Sequence, residues 1–395
     1  MVIDAKTNCS FCGKNKNEVD KLIVSESASI CNECVELCQG LLTPKAKTTT
    51  TDAGSTDPHA IKDFLDKHVV GQRDAKIVLS VALAGHVKRL ASPNELVKPN
   101  ILMIGPSGSG KTLLVKTVAR YLDLPVAIGD ATGLTEAGYA GEDVESILSR
   151  LVANAKGDIS KAEQGIVFID EIDKIARRND AVGYTRDVSG EGVQQALLKM
   201  IEGTVMRVPA LQQKKSAASE LLDIDTSRIL FIGSGAFVDL EKTIKNRQAG
   251  SAVGFTGNPA AAVSLDTVTP QDLVNYGLIP EFVGRFANLV TLSSLNREDL
   301  LEILTRVDNN IVAQYRYLCA CDNVNLQFTE DALDQIVSHS LQAKTGARFL
   351  VAEMEKIMRP HLFNLRQYWE KGIHNITIDV GLVRDPKPII GDSSQ

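Results

Sequence analysis

No run of 18 apolar residues occurs in the chain, so we expect no membrane-spanning helix. Residues 1–6 lack the apolar centre of a secretory signal, and we therefore expect a cytoplasmic protein. Basic charge is not in excess either. The 43 Lys and Arg residues stand against 49 Asp and Glu, and the formal net charge of −6 argues against broad binding to nucleic acid.

Cysteine is scarce outside the N-terminal part of the chain. Only Cys319 and Cys321 lie beyond residue 38, and we interpret both as core residues. The total of seven is odd, and in a reducing compartment such a set does not indicate a disulfide framework. The other five cysteines are concentrated in the first 38 residues, which indicates a different use of the thiol group.

Two Cys-x-x-Cys pairs contain four of these cysteines, namely Cys9, Cys12, Cys31 and Cys34. The 18 residues between the pairs match the spacing of zinc modules. Each pair forms a tight turn whose thiolates converge on one ion, so the two pairs predict a closed, tetrahedral, structural Zn²⁺ site. A redox-active pair is the alternative, but two pairs at this spacing favour the metal. Cys38 is expected to be a packed thiol.

The length predicts more than one domain. A chain of 395 residues is too long for a single core, while 44% hydrophobic and 23% charged residues are ordinary for a globular protein. We assign residues 1–42 to the zinc-binding module. Residues 43–60, which contain four consecutive threonines, are expected to be a flexible linker. Residues 61–293 and 294–395 would then form a large and a small domain.

A glycine-rich segment organises the central part of the chain. Residues 105–112 fit the phosphate-binding pattern G-x-x-x-x-G-K-[ST] at every fixed position. An apolar run precedes them, as a buried strand would, and a helical pattern follows. Successive N–H groups and the helix N-terminus would surround a phosphate, with Lys111 at the β- and γ-phosphates and Thr112 on Mg²⁺. A chance glycine-rich turn is the alternative, which the flanking pattern disfavours. The predicted ATP-binding residues of this segment are Pro106, Ser107, Gly108, Ser109, Gly110, Lys111, Thr112 and Leu113.

A second apolar run ends in two acids, Asp170 and Glu171, 58 residues after Thr112. Asp170 would hold Mg²⁺, directly or through water, and Glu171 would polarise the attacking water. A solvated acidic turn is the alternative. A third run after Arg228 places Ser234 as a candidate polar group beside the γ-phosphate.

Val69 and Val70 precede the glycine-rich segment and are candidates for packing against the adenine ring. Ordinary core valines are an equal alternative on the pattern alone. The alternation of apolar strands with helices predicts an α/β fold with a parallel sheet and ligands at the carboxyl ends of the strands. The mostly helical pattern after Asn296 predicts a separate small domain.

Together these residues resemble the ClpX family of AAA+ unfoldases, over nearly the whole chain from Cys9 to about Val380. The most specific segments are the cysteine pairs, the glycine-rich loop, residues 169–174 and residues 186–199. The resemblance implies a P-loop AAA+ parallel-sheet domain and a small α/β C-terminal domain, preceded by a four-cysteine zinc-binding module.

The resemblance also implies a function. A homohexamer would use ATP, Mg²⁺ and Zn²⁺ to recognise, unfold and translocate unfolded or tagged proteins into the ClpP peptidase ring. Adaptors would bind the zinc module, and neither nucleic acid nor a membrane would be a partner.

Residues 138–141 resemble the pore loop of the family, in which an aromatic side chain grips the polypeptide. Tyr139 would be that aromatic residue. Ala140 stands where the family usually has valine, which shortens the apolar grip. A surface tyrosine in a turn is the alternative. Residues 213–216 resemble the basic loop at the channel entrance, but they lack the histidine of the family.

Val253, Gly254 and Phe255 resemble the Ile-Gly-Phe peptide with which the family docks onto ClpP. Val253 is one methylene smaller than isoleucine, which weakens each contact by roughly 1 kcal/mol or less. Six such contacts would still add by avidity. A loop that packs Phe255 onto its own domain is the alternative.

Two arginines complete the implied site. Arg285, in residues 280–285, resembles the arginine that reaches the nucleotide of the neighbouring subunit. Arg348 resembles the sensor-2 arginine of the small domain, although residues 349–351 depart from the usual Gly-Leu-Arg. The alternatives are an ATPase that remodels complexes without a peptidase, a nucleic-acid motor of the same superfamily, and a non-enzymatic scaffold.

Overall fold

The computed structural model describes residues 8–25, 28–35, 55–92, 96–135, 142–177, 190–209, 221–251, 265–343 and 346–389. They form two compact units, which divide between residues 53 and 54. None of the described helices is both long and apolar enough to cross a membrane.

The first unit is small, and its described residues bury no side chain more apolar than cysteine. Strands β1 (Leu22–Val24) and β2 (Ser29–Cys31) pair antiparallel, after a single 3-10 turn at Lys16–Glu18. Phe11 and Ile23 expose 69% and 61% of their surface. Among the described residues of this unit, apolar burial is therefore too small to stabilise a fold, and a metal site is the expected substitute.

A five-stranded parallel sheet forms the centre of the second unit. Its strands, in spatial order, are β11 (Asn288–Thr291), β3 (Ile101–Ile104), β10 (Leu230–Gly235), β7 (Ile166–Asp170) and β4 (Val126–Asp130). Because all five strands are parallel, their carboxyl ends meet at one edge of the sheet. The predicted α/β class and the parallel sheet are confirmed.

The other strands form two-stranded pairs, namely β5 (Leu134–Thr135) with β6 (Glu142–Asp143), β8 (Val205–Pro209) with β9 (Leu221–Asp225), and β12 (Asn325–Phe328) with β13 (Asn375–Ile378). The α-helices described in the second unit are Pro58–His68, Arg73–Ala91, Lys111–Tyr121, Ser146–Asn154, Ile159–Ala162, Glu191–Glu202, Leu240–Ser251, Pro270–Tyr276, Pro280–Val283, Arg297–Thr305, Ile311–Cys321, Glu330–Ala343, Ala347–Phe363, Leu365–Glu370 and Val380–Arg384.

Two apolar layers cover the two faces of the central sheet. Successive side chains of β7 alternate between them, because neighbouring residues of a strand point to opposite faces. Phe168 belongs to one layer, while Val167 and Ile169 belong to the other, and all three are fully buried. Helices between residues 58 and 121 supply the first layer, and helices between residues 146 and 283 supply the second. Both faces are therefore covered, and the polar chemistry is confined to the strand ends.

The C-terminal part has an apolar core of its own, built by residues from 300 to 383. Cys319 lies inside that core, as expected, but Cys321 is exposed, so its prediction as a core residue was wrong. Two residues that are two positions apart on the helix Ile311–Cys321 point to different sides of it, which explains the difference. The predicted small C-terminal domain therefore has an apolar core distinct from the two layers on the central sheet.

The first helix of the second unit begins at Pro58, inside the segment that was predicted to be linker. The carboxylate of Asp57 accepts the N–H of His59 at 3.3 Å, and a proline at the first helical position has no N–H to leave unpaired. The ordered body therefore begins before Ile61. Residues 43–54 lie outside the described residues, and the other predicted domain boundaries stay predictions.

We expect Phe168→Ala to lower the free energy of unfolding of the second unit by about 3–5 kcal/mol, because it leaves a cavity at the centre of the sheet. Phe363→Ala is the matched control, since Phe363 is 84% exposed. Urea unfolding of the full chain, followed by circular dichroism, measures both. Equal midpoints for the two variants would contradict the layered core.

Candidate functional site

The glycine-rich segment, residues 105–112, follows the carboxyl end of β3 and runs into the helix Lys111–Tyr121. Gly108 and Gly110 have φ values of 78° and 98°, which residues with a side chain rarely adopt. The first amides of a helix have no partner within it, so they face the segment that precedes them. The segment therefore has the strand, turn and helix that a phosphate site requires.

Lys111 is buried within the loop, with 8% of its surface exposed. Its Nζ donates to the carbonyl oxygens of Gly105 at 2.6 Å and Pro106 at 2.9 Å. Burial lowers the pKa of Lys111, and the nearby carboxylate of Asp170 acts in the opposite direction. A partly desolvated ammonium gains more from an anion than a hydrated one does, so this environment suits the predicted phosphate contact.

The carboxylate of Asp170 receives hydrogen bonds from three directions at the end of β7. The hydroxyl of Thr112 donates to Oδ2 at 3.1 Å, and the hydroxyl of Ser234 donates to Oδ1. The backbone N–H of Glu171 also donates to Oδ1, at 3.0 Å. Two of these donors come from other elements, the helix Lys111–Tyr121 and β10, and the third comes from the next residue of the chain. Together they fix the orientation of the carboxylate. The structure thus brings the predicted Thr112, Asp170 and Ser234 together.

Glu171 adopts a left-handed backbone conformation, with φ 57° and ψ 32°. This conformation is uncommon for a residue with a side chain, and such outliers are concentrated at functional sites. The residue is exposed and lines the same cavity as Asp170. Its carboxylate is therefore accessible to a water molecule in that cavity.

Asp173 is a third acid at this edge, and none of the sequence motifs predicted a role for it. It is 5% exposed and lines the cavity with Asp170, and its Oδ1 accepts the N–H of Ala236 at 3.1 Å. A Cβ at Gly235 would lie 2.7 Å from that oxygen, so glycine is needed beside it. Asp173 therefore holds the segment that follows β10. In the sequence, the only indication of this role is that another acid follows Glu171 by two positions.

Two cavities meet at the glycine-rich loop, with volumes of about 660 Å³ and 530 Å³. Gly108, Gly110 and Leu113 line both of them. The larger cavity is lined by Val69 and Val70, and also by Lys116, Arg120 and Asp308, whereas the smaller is lined by Lys111, Lys174 and the three carboxylates. We call the larger the apolar cavity, after its two valines, and the smaller the charged cavity. Valines beside a set of charged groups suit a ligand with a planar base and a phosphate chain.

The remaining residues predicted for the loop are distributed around it. Ser107 and Thr112 line the charged cavity, and Ser109 lines the apolar one. Pro106 lines a third cavity of about 250 Å³, next to Gly346.

Arg348 reaches the loop from the C-terminal domain. Its Nη1 donates to the hydroxyl of Ser107 at 3.1 Å, and its side chain lines the charged cavity. It lies at the start of the helix Ala347–Phe363, after Gly346 with φ 61°. A Cβ at Gly346 would lie 3.1 Å from the carbonyl oxygen of Gly108, so only glycine fits this approach without strain.

Arg285 lies in a different place from the other predicted site residues. It follows the helix Pro280–Val283, its guanidinium pairs with Glu202, and its carbonyl oxygen accepts from Asn100 at 3.1 Å. Arg285 is not among the described residues that line either cavity. The structure does not bring it to the phosphate site of its own chain, which is what a contact with a neighbouring subunit requires.

The four cysteine sulfurs of the first unit lie within 4.8 Å of one another. Cys9 and Cys34 have their sulfurs 3.8 Å apart, and Cys12 and Cys31 have theirs 3.7 Å apart. A tetrahedral ion with Zn–S bonds of about 2.3 Å has sulfurs about 3.8 Å apart, so the cluster fits Zn²⁺. Backbone N–H groups of Cys31 and Cys34 donate to the sulfurs of Cys9 and Cys31, as around a thiolate site.

Several predicted residues lie outside the described residues. They are Cys38, Tyr139, Ala140, Val253, Gly254 and Phe255, together with residues 213–216. Their predicted roles stay predictions.

Models of known families match three parts of the chain. Residues 7–43 match the ClpX C4-type zinc finger, and residues 97–289 match the AAA domain of the Cdc48 subfamily. Residues 295–368 match the C-terminal, D2-small domain of ClpB protein. The zinc module, the AAA domain and the small domain are therefore confirmed, in the predicted order. A chain with this AAA domain binds and hydrolyses ATP.

We expect the full chain to contain one Zn²⁺, and Cys31→Ser to lower that content at least tenfold, since loss of one thiolate opens a closed site. Cys321→Ser is the matched control, because Cys321 is exposed and lies outside the cluster. Metal analysis of the purified proteins measures the content. Equal zinc in both variants would contradict the four-cysteine site.

Proposed function

Because this chain is a ClpX-type AAA+ protein, we propose that it is an ATP-dependent unfoldase that translocates protein substrates into the ClpP peptidase. The observation that carries this proposal is the arrangement of the charged groups. Lys111, Asp170, Glu171 and Arg348 line one cavity, while Arg285 lies outside it. Such a site is complete only when a second subunit supplies its arginine.

The ATP-binding groups have distinct roles in this proposal. The base lies against Val69 and Val70, and the phosphates lie in the loop, with Lys111 at the β- and γ-phosphates. Thr112 and Asp170 would hold Mg²⁺, since a hydroxyl and a carboxylate are oxygen ligands of the kind this ion prefers, and their oxygens lie 3.1 Å apart. When bound, the ion would supply positive charge against the negative charge of the phosphates.

Glu171 orients the attacking water and accepts its proton. Its exposure to the charged cavity and its strained backbone support this role. Arg348 senses the nucleotide from the small domain, and so links hydrolysis to a movement of that domain. Arg285 stabilises the transition state of the neighbouring subunit, which makes hydrolysis depend on assembly into a homohexamer.

The mechanical part of the proposal depends on the family resemblance. Tyr139 and Ala140 would grip the polypeptide in the pore, and Val253, Gly254 and Phe255 would dock onto ClpP. Unfolded or tagged proteins are the substrates, and adaptors bind the zinc module. The cytoplasmic location expected from the sequence also stays a prediction.

A second candidate is an ATPase that remodels protein complexes without a peptidase. Ala140 and Val253 favour it, because each is smaller than the residue usual in the family at its position. ATP-dependent unfolding of a fluorescent tagged protein, with and without ClpP, separates the two. Unfolding without degradation would support the second candidate, and intact ATPase without unfolding would contradict both.

We expect Glu171→Gln and Arg285→Ala each to lower ATP hydrolysis by at least about 100-fold, since one loses the general base and the other the neighbour's arginine. Mixed rings of the two variants should regain on the order of a quarter of the wild-type rate, because random mixing restores that fraction of the boundaries. Steady-state phosphate release measures all three preparations.

Arg366→Ala is the control for this experiment, since the side chain of Arg366 is 89% exposed. It should hydrolyse ATP at the wild-type rate. If the mixed rings stay as inactive as the two pure variants, Arg285 does not act across a subunit boundary.

A further inference from the structure

The side-chain amide of Gln72 makes three hydrogen bonds to two distant parts of the chain. Its Nε2 donates to the carbonyl oxygens of Ser293 at 2.9 Å and Ser109 at 3.3 Å. Its Oε1 accepts the N–H of Ser293 at 3.0 Å. The residue is 8% exposed. One buried amide therefore joins the phosphate loop to the segment around Ser293.

The backbone at this position is held in an unusual conformation. Gln72 has φ 55°, and Gly71 before it has φ 64°. A left-handed conformation is unfavourable for glutamine, and it persists only where the surrounding contacts determine it. The three bonds of the side chain supply such contacts, and Val69 and Val70 at the apolar cavity lie immediately before this turn.

Ser293 lies at the junction of the two domains. Strand β11 ends at Thr291, and the helix Arg297–Thr305 begins the C-terminal domain, capped by reciprocal bonds between Asn296 and Asp299. We refer to residues 292–296 as the hinge. Gln72 binds both the N–H and the C=O of one hinge residue, as a neighbouring strand would. Rotation of the C-terminal domain about the backbone at Ser293 would therefore move or break this pair.

The other end of the amide contact is the phosphate loop itself. The carbonyl of Ser109 lies immediately before Gly110, whose left-handed turn starts the phosphate-binding helix. Ser109 also lines the apolar cavity. A nucleotide that orders this loop sets the position of the Ser109 carbonyl. The Nε2 of Gln72 donates both to that carbonyl and to the carbonyl of Ser293. The position of the loop therefore constrains the position of the hinge.

We propose that Gln72 is a positioning residue that couples the state of the phosphate loop to the hinge, and so converts nucleotide binding into rotation of the C-terminal domain. This inference rests on the proposed unfoldase function, for which such rotation is the mechanical step. Gln72 does not touch the reacting atoms in this account. It acts by holding Ser109 and Ser293 at a fixed separation.

Two substitutions isolate the donated bonds. Gln72→Glu keeps the size and the acceptor, but it has no N–H and places a negative charge against two carbonyl oxygens. Gln72→Met keeps the length without donor or charge. Gln271→Glu is the matched control, because Gln271 is exposed and bonds only to Asn275 among the described residues.

Hydrogen exchange of the full chain, with and without ADP, tests the coupling directly. In the wild-type protein and in Gln271→Glu, we expect ADP to slow exchange in the hinge peptide at least about threefold, since ligands stabilise the state they bind. In Gln72→Glu and Gln72→Met, we expect ADP still to protect the phosphate loop but to change hinge exchange by less than that. Equal hinge protection in all four proteins overturns the proposal.

Kinetics gives the second readout. We expect both Gln72 variants to keep the KM and kcat for ATP within about threefold, while the number of substrates unfolded per ATP falls about tenfold or more. Wild-type unfolding per ATP in Gln72→Met overturns the proposal, because the effect in Gln72→Glu would then be charge repulsion. A loss of ATP binding equal to the loss of unfolding also overturns it, because Gln72 would then only support the loop.

The two hypotheses fail separately. If the wild-type protein hydrolyses ATP but unfolds no substrate, the proposed function fails. The coupling through Gln72 is then decided by the exchange experiment alone, which needs no substrate.

Discussion

The glycine-rich loop has backbone packed against it on two sides, and this close packing is the constraint on which the site depends. A Cβ at Gly105 would lie 2.6 Å from the carbonyl oxygen of Leu292, at the end of the large domain. A Cβ at Gly346 would lie 3.1 Å from the carbonyl oxygen of Gly108. Gly105 of the loop and Gly346 of the C-terminal domain thus allow the backbone on each side to approach the loop closely. The loop is therefore packed against both domains.

The two units of the chain are stabilised by different means. The second unit has three apolar cores and can exclude water from whole layers of side chains. The first unit is too small to do so, and it exposes Phe11 and Ile23. A metal ion held by the four cysteines would replace the missing core, because the binding free energy of the metal is then also folding free energy. Such an ion would be structural, since four sulfur ligands fill a tetrahedral site and leave no position for a reactant.

The position of Arg285 supports the proposal that the site depends on assembly. Its guanidinium pairs with Glu202, away from the cavities that hold the other charged groups. An exposed ion pair of this kind contributes little to stability, typically about 0–1 kcal/mol, so it does not hold the arginine firmly. A neighbouring phosphate chain can therefore compete for it. Within one chain, by contrast, Arg348 already reaches Ser107 of the loop.

Local patterns in the sequence were sufficient to predict much of the fold and of the candidate site. The cysteine spacing predicted the zinc cluster, and the alternation of apolar strands with helices predicted the parallel sheet. The glycine-rich loop and the acids at the end of β7 predicted that Thr112, Asp170 and Ser234 converge. Each of these depends on residues close together in the chain or on strand ends that must meet at one edge. The prediction of Cys321 as a core residue was wrong. Residues two positions apart on a helix lie on different faces, and composition does not show which face is buried.

Only the tertiary structure decided which distant groups meet. Nothing near Gln72 in the sequence indicates that its amide binds Ser109 and Ser293, the latter 221 positions away. Asp173 gained its role from a contact with Ala236, and Gly346 from the approach of Gly108. The sequence determined the chemistry of each segment, because that chemistry depends on residue type and short spacing. Packing between domains determined the connections among the segments, because a hydrogen bond between distant segments leaves no periodic pattern in the chain.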